Sequence, residues 1–241
     1  VAQKRVNGLY TYLPNGFSPV GGAMMAAASD EAEYSVASSS VHMFNNGSWN
    51  PLNNPDNVWT YYYQGIRHAT LFLETADQIN MERYKLDPQN QADYEMKMAN
   101  IERWKYEARF LRAYFYYKLV EAYGPVPIVP EMAYDVDASA ESMSLERETY
   151  ENCINYICEN FEKAYEYLPS SRTSTLVNLP TSGAALALMG RVRLIEASPW
   201  YNGNEFYADW KRSDGTNFMP QVKDESKWGT AALLAKRLIK G

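Results

Sequence analysis

Apolar side chains fall at steps of three and four along several stretches of this chain, which is the helical period. Trp59, Tyr62, Tyr63, Ile66, Ala69, Thr70, Leu73 and Ala76 mark one helix, with Asp56 or Asn57 available to cap it. Asp87-Pro88 then breaks the chain. A much longer helix runs from about Gln91 to Tyr123. Ile101, Trp104, Ala108, Leu111, Phe115, Leu119 and Ala122 form one of its stripes, and Phe110, Tyr114 and Tyr117 form a second. Two stripes mean burial on two sides. From about Arg147 to Leu168 the period returns in Tyr150, Cys153, Ile154, Ile157, Phe161, Ala164 and Tyr165, until Pro169-Ser170-Ser171 ends it. Pro180-Thr181-Ser182 opens the next helix, capped by Thr181 or Ser182. Its Ala184, Ala187, Gly190 and Ala197 let a neighbouring backbone come close, and it stops before Pro199. A short helix is expected near Gly22–Glu33 and a last one from near Glu225.

The segments between are polar. Residues 35–57 are dominated by Ser, Asn, Gly and Pro and read as a long loop holding Trp49. Residues 124–147 are connecting chain with an extended piece at Val126–Pro130. A polar aromatic loop, PWYNGNEFYADWKRSDGTNFMP, follows the helix that stops before Pro199. Helix pairs, long loops and almost no strand point to an all-α fold: a tetratricopeptide-like αα superhelix with loop insertions. The clean period of about 34 residues that such repeats usually show is missing, so the insertions interrupt it.

Composition narrows the function. Of 241 residues, 46% are apolar, which rules out a disordered chain and permits a large core. A net charge of −6 argues against a nucleic-acid binder, which needs a basic face. Charges are scattered, with no polybasic run for a membrane surface. No signal peptide opens the chain, and no apolar run is long enough to span a bilayer. The 20 Tyr and 6 Trp far outnumber the 8 Phe, so most rings carry a polar edge for water or ligand. Cys153 and Cys158, five apart on one helix, point to different sides. They make a poor disulfide pair and read as small buried hydrophobes. His42, in a loop, and His68, on a helix, have no metal-ligand company and no nucleophile pattern nearby. The 29 acidic residues include no pair marked by a motif, so no catalytic, metal or cofactor site is assigned.

The stretch EARFLRAYFYYKLVEAYGPVPIV carries the most specific signal. Glu107, Arg109, Leu111, Arg112, Ala113 and Tyr116 or Tyr117, followed by Tyr123, Gly124, Val126 and Pro127, resemble the signature of the SusD/RagB family of outer-membrane nutrient-binding lipoproteins. Trp59, Tyr63, Ile66 and Ala69 resemble an earlier family helix, with Thr70 where Asn is common. The helix after Pro180-Thr181 resembles a third family element. Arg109 and Arg112, three apart, point to one side, and Glu107 to another. Buried arginines need carbonyl or carboxylate partners, and these two either brace the surrounding loops or clamp a ligand. Gly124 suits a helix C-cap, and Pro125 prevents continuation.

The resemblance implies a surface-exposed lipoprotein of the Bacteroidetes outer membrane, without catalytic activity. It would bind oligosaccharide or polysaccharide and work with a TonB-dependent, SusC-like transporter. Residues 1–241 then read as one N-terminal helical-repeat region of a longer chain. Val1 does not look like a natural start, and the lipid-bearing cysteine would lie upstream. Sugar rings stack on Trp or Tyr while amides bond their hydroxyls. Two loops combine these groups: Trp49 with Asn50 and Asn53, and Trp200, Tyr201 and Asn202 with Trp210. Each also reads as a polar loop pinned by one buried ring. A peptide-binding import component of the same family is the alternative, and a glycoside hydrolase is a more distant one.

Overall fold

The computed structural model describes residues 2–85, 91–135 and 137–240. Among these no strand forms, and the only β-pairings are isolated bridges such as Asn50 with Asn53. Eight α-helices occur: α1 (Ala2–Leu9), α2 (His42–Asn45), α3 (Trp59–Ala76), α4 (Glu82–Lys85), α5 (Gln91–Tyr123), α6 (Tyr150–Tyr167), α7 (Ser182–Ala197) and α8 (Ser226–Lys240). The break expected at Asp87-Pro88 lies outside the described residues.

Ring contacts give the helix directions. Trp59 meets Tyr123 and Tyr63 meets Tyr116, so α3 and α5 run antiparallel. Phe110 meets Phe161 and Tyr116 meets Tyr156, so α5 and α6 do too. Arg237 reaches Glu162 and Lys227 approaches Glu151, which sets α8 parallel to α6 with α7 between them. The result is a stack of paired helices in the order α3, α5, α6, α7, α8, the all-α superhelix expected from the pattern.

Helix α5 lies inside the stack. Ala108, Leu111, Ala113, Phe115, Tyr116 and Leu119 are fully buried, each on a helix face that meets α3, α6 or α1. Burying one large apolar side chain contributes about 1.5–3 kcal/mol, so this helix supplies a large share of the core. Gly124 adopts φ +68°, and its N–H donates to the Val120 carbonyl at 2.9 Å. That left-handed residue ends α5 where the Gly-Pro pair predicted.

Several boundaries differ from the sequence reading. Helix α6 starts at Tyr150, not near Arg147, because Thr149 caps it by accepting from Asn152 N–H at 3.1 Å. Thr181 is the cap of α7. The helix expected near Gly22–Glu33 is only a 3-10 turn, Met25–Ala28, and His42 sits on the four-residue α2 rather than in a loop. Helix α1 had no expectation. Its Val6 and Leu9 are buried against the main core.

Both cysteines are free and buried. Burial pushes the Cys153 thiol up to about 11 and the Cys158 thiol up to about 12, so both stay protonated and inert. Among the described residues no helix is long and apolar enough to cross a membrane, and no cluster of His, Cys, Asp and Glu could hold a metal ion.

Candidate functional site

The charged signature residues on α5 are structural braces. The Glu107 side chain is buried; it accepts from Arg172 Nη2 at 2.8 Å and from the Tyr10 hydroxyl at 3.2 Å. Burial beside that carboxylate drives the Tyr10 hydroxyl far above its ordinary pKa. On another side, Arg112 donates to the carbonyls of Val129 and Pro130 at 3.1 and 3.0 Å. Arg109 donates to Glu131 at 3.3 Å and to Asn160 at 3.0 Å. These two arginines hold the connection after α5, and Tyr63 adds a bond from its hydroxyl to the Pro127 carbonyl at 2.7 Å.

The C-terminal end of α5 ties the two candidate loops to the stack. The Tyr123 hydroxyl accepts from the backbone N–H of Val58 at 2.9 Å and of Trp59 at 3.2 Å, and donates to Asn57 Oδ1 at 3.0 Å. Val58 holds the N-cap position of α3 and offers no side-chain cap, so a tyrosine from the neighbouring helix takes that role. Of the two expected caps, Asn57 contributes from one residue further out by accepting from Trp59 N–H at 3.2 Å. Asp56 gives no such bond, and burial lifts its carboxyl above the usual range against the pull of Lys118. Arg147 donates to the carbonyls of Tyr123 and Pro125 while its guanidinium lies 5.2 Å from the Trp59 ring and 6.0 Å from the Trp210 ring.

The first loop leads into α3. Trp49 is 53% exposed, rests against Phe44 at 5.3 Å, and donates from its indole N–H to Asn54 Oδ1 at 2.9 Å. Phe44 packs on a small cluster of Val20, Ala23, Ala27 and Val41 that is separate from the main core. Asn50 builds a turn: its Oδ1 accepts from Leu52 and Asn53 N–H at 3.0 and 3.1 Å. Asn53 is exposed.

The second loop is stitched into the core. Tyr201 stacks face to face on the buried Tyr150 at 4.6 Å. Asn202 is 2% exposed; its amide donates to the Asp224 carbonyl at 2.8 Å and accepts from the Asp224 N–H at 2.9 Å. Gly203, at φ +81°, lets the Lys223 backbone pass where a Cβ would sit 2.6 Å from its nitrogen. The half-buried Trp210 packs on Phe218 at 4.9 Å, with Gly124 beneath it. Trp200, by contrast, is 54% exposed, next to Phe206 at 79% and Tyr207. Phe206 was not singled out in the sequence; the ring-rich run EFYADW in the same loop carried the signal.

The structure thus places Trp49, Asn53 and Trp200 at the surface and adds Phe206 to them. It places Tyr201, Asn202 and Trp210 in the packing of their loop, and Asn50 in a turn. What the arrangement offers is flat aromatic faces and the exposed Asn53 amide, carried on a helical base.

Residues 9–194 match a family model, SusD-like, described as "Starch-binding associating with outer membrane". None of the curated proteins matches the chain. Solved structures resemble it over nearly its whole length. BT4246 is 22% identical with a TM-score of 0.76, over 99% of this chain and 39% of that one. A SusD homolog from Bacteroides thetaiotaomicron is 20% identical with a TM-score of 0.66, over 100% of this chain and 40% of that one. A laminarin-binding SusD-like protein is 22% identical with a TM-score of 0.61, over 81% of this chain and 39% of that one. This chain therefore spans about two fifths of the length of these relatives, and at such identity the likeness concerns the fold.

Proposed function

The chain belongs to the SusD-like family, and from that premise we propose that it is a non-catalytic glycan-binding protein of the outer-membrane surface. In this reading it captures oligosaccharide or polysaccharide and hands it to a TonB-dependent, SusC-like transporter. A lipid anchor would hold the whole protein to the membrane. The unbroken stack from α3 to α8 supports reading residues 1–241 as one helical-repeat region.

One observation carries the proposal: Trp49 on one loop, and Trp200 with Phe206 on the other, expose ring faces on a surface braced by α5. Pyranose rings present flat C–H faces that stack on such rings, and exposed amides such as Asn53 supply directional bonds. Asn50, Tyr201, Asn202 and Trp210 hold the loops in shape for that contact. The family description and the laminarin-binding relative favour carbohydrate over peptide. Hydrolysis needs two carboxylates across a cleft. The buried acids are committed elsewhere, Glu107 to Arg172 and Glu196 to Arg193 and Lys227.

Calorimetry against a panel of glycans and peptides tests this. Binding of one glycan class without release of reducing ends, weakened by Trp49→Ala or Trp200→Ala, is the expected result. Peptide binding with no glycan response would favour the alternative importer, and turnover of a polysaccharide would overturn the non-catalytic reading.

A further inference from the structure

Apart from both loops, α1 and α3 enclose a groove of about 610 Å³, within the size range of ligand sites. Leu71, Phe72 and the ring of Tyr12 give it an apolar wall; Lys4 and Arg5 supply its charges and His68 an imidazole. No Asp or Glu lines it, and among the described residues neither Lys4 nor Arg5 forms an ion pair. Arg5 donates one N–H to Thr75 Oγ1 at 3.2 Å, and among the described residues the rest of its fork has no partner. The Tyr12 hydroxyl lies 3.0 Å from His68 Nδ1. When that hydroxyl donates, the ring proton sits on Nε2, and the histidine becomes another donor. Thr75 spends its own proton on the Leu71 carbonyl, and Thr11 spends its proton on the Gly8 carbonyl. With those protons spent, the Thr11 and Thr75 hydroxyl oxygens can only accept, so the groove's pull on an anion comes from the Lys4 and Arg5 cations, in a protein whose net charge is −6.

A complementary ligand must bring negative charge and acceptors on a body with an apolar face. A neutral sugar satisfies only the second half of that requirement. We propose that this groove binds an acidic saccharide, placing a carboxylate or sulfate between Lys4 and Arg5 and the ring face on Tyr12 and Leu71. The inference rests on the glycan-binding reading above and names a ligand class and a second site for it. Arg recognises either anion bidentately, and Lys adds a point charge.

Calorimetry with trigalacturonate, its methyl ester and a sulfated disaccharide tests it, and separates carboxylate from sulfate. The double variant Lys4→Gln/Arg5→Gln should lose about tenfold or more in affinity for whichever acid binds. Raising the salt should weaken that binding further, because exposed charges are screened. The methyl ester should bind far more weakly than the acid. Exchanging the cations, Lys4→Arg with Arg5→Lys, should keep most of the affinity and rule out a folding defect. Trp49→Ala and Trp200→Ala should leave the acid bound while weakening neutral glycans. Unchanged acid binding in the double variant, equal binding of the ester, or no binding of either acid overturns the groove. Each of those results leaves the neutral-glycan titration to judge the loops on their own.

Discussion

The two ring-bearing loops each set an exposed tryptophan beside asparagines, and their engineering is opposite. In the second, three of the four residues that suggested a ligand site are built into the fold: Tyr201 on Tyr150, Asn202 on the Asp224 backbone, and Trp210 over Gly124. In the first, Asn50 folds its own turn and Trp49 leans on a minor cluster, while Asn53 is left to solvent. A tryptophan beside an asparagine is therefore not one signal but two. The amide's partners decide: Asn202 bonds the backbone of a distant segment and becomes a rivet, whereas Asn50 spends its amide on its own turn and the exposed Asn53 is what the loop leaves to a ligand.

Four measurements test that contrast. Trp210→Ala should be the most damaging, at about 3 kcal/mol in urea unfolding, because a half-buried ring is removed from between Phe218 and Arg147. A cost under about 1 kcal/mol would mean the second loop is not anchored as described. Asn202→Ala should cost about 2 kcal/mol, since a buried amide and both its bonds to the Asp224 backbone are lost. Trp200→Ala should move stability by no more than about 0.5 kcal/mol yet reduce glycan affinity about tenfold. The reverse pattern would place Trp200 with the rivets. Asn50→Ala should be smallest on the global scale, within about 0.5 kcal/mol. Its effect should appear as faster proteolysis within residues 46–54, with Trp210 and its neighbours unaffected.

The helices were legible where local chemistry decides them. Gly124-Pro125 stops α5, Thr181 caps α7, and the stripes of α5 give most of its burial, with Ala122 exposed and Trp104 and Tyr114 half-buried. Legibility failed where the deciding partner is remote in sequence. The cap of α3 comes from a tyrosine about as far along the chain as α5 is long twice over, so Asp56 and Asn57 were the natural but incomplete choice. Helix α1, AQKRVNGL, has only Val6 and Leu9 to bury and owes its place to α3 and α5. The groove it forms with α3 needs both helices, so no motif could announce Lys4, Arg5 or His68 as neighbours. In the candidate loops the sequence marked two polar, ring-bearing segments. It could not separate exposed Trp200 from packed Trp210, because that distinction lies in Phe218 and Gly124.

The Arg147 guanidinium lies close to two rings, Trp59 at the root of the first loop and Trp210 within the second. A single cation thus fixes both loops to one mounting. A polymer long enough to reach both would meet contacts whose separation is set before it arrives, so its second grip is an intramolecular event. Affinity should then climb in a step once the oligomer attains that span, and Arg147→Ala should flatten the step without abolishing the grip of either loop alone.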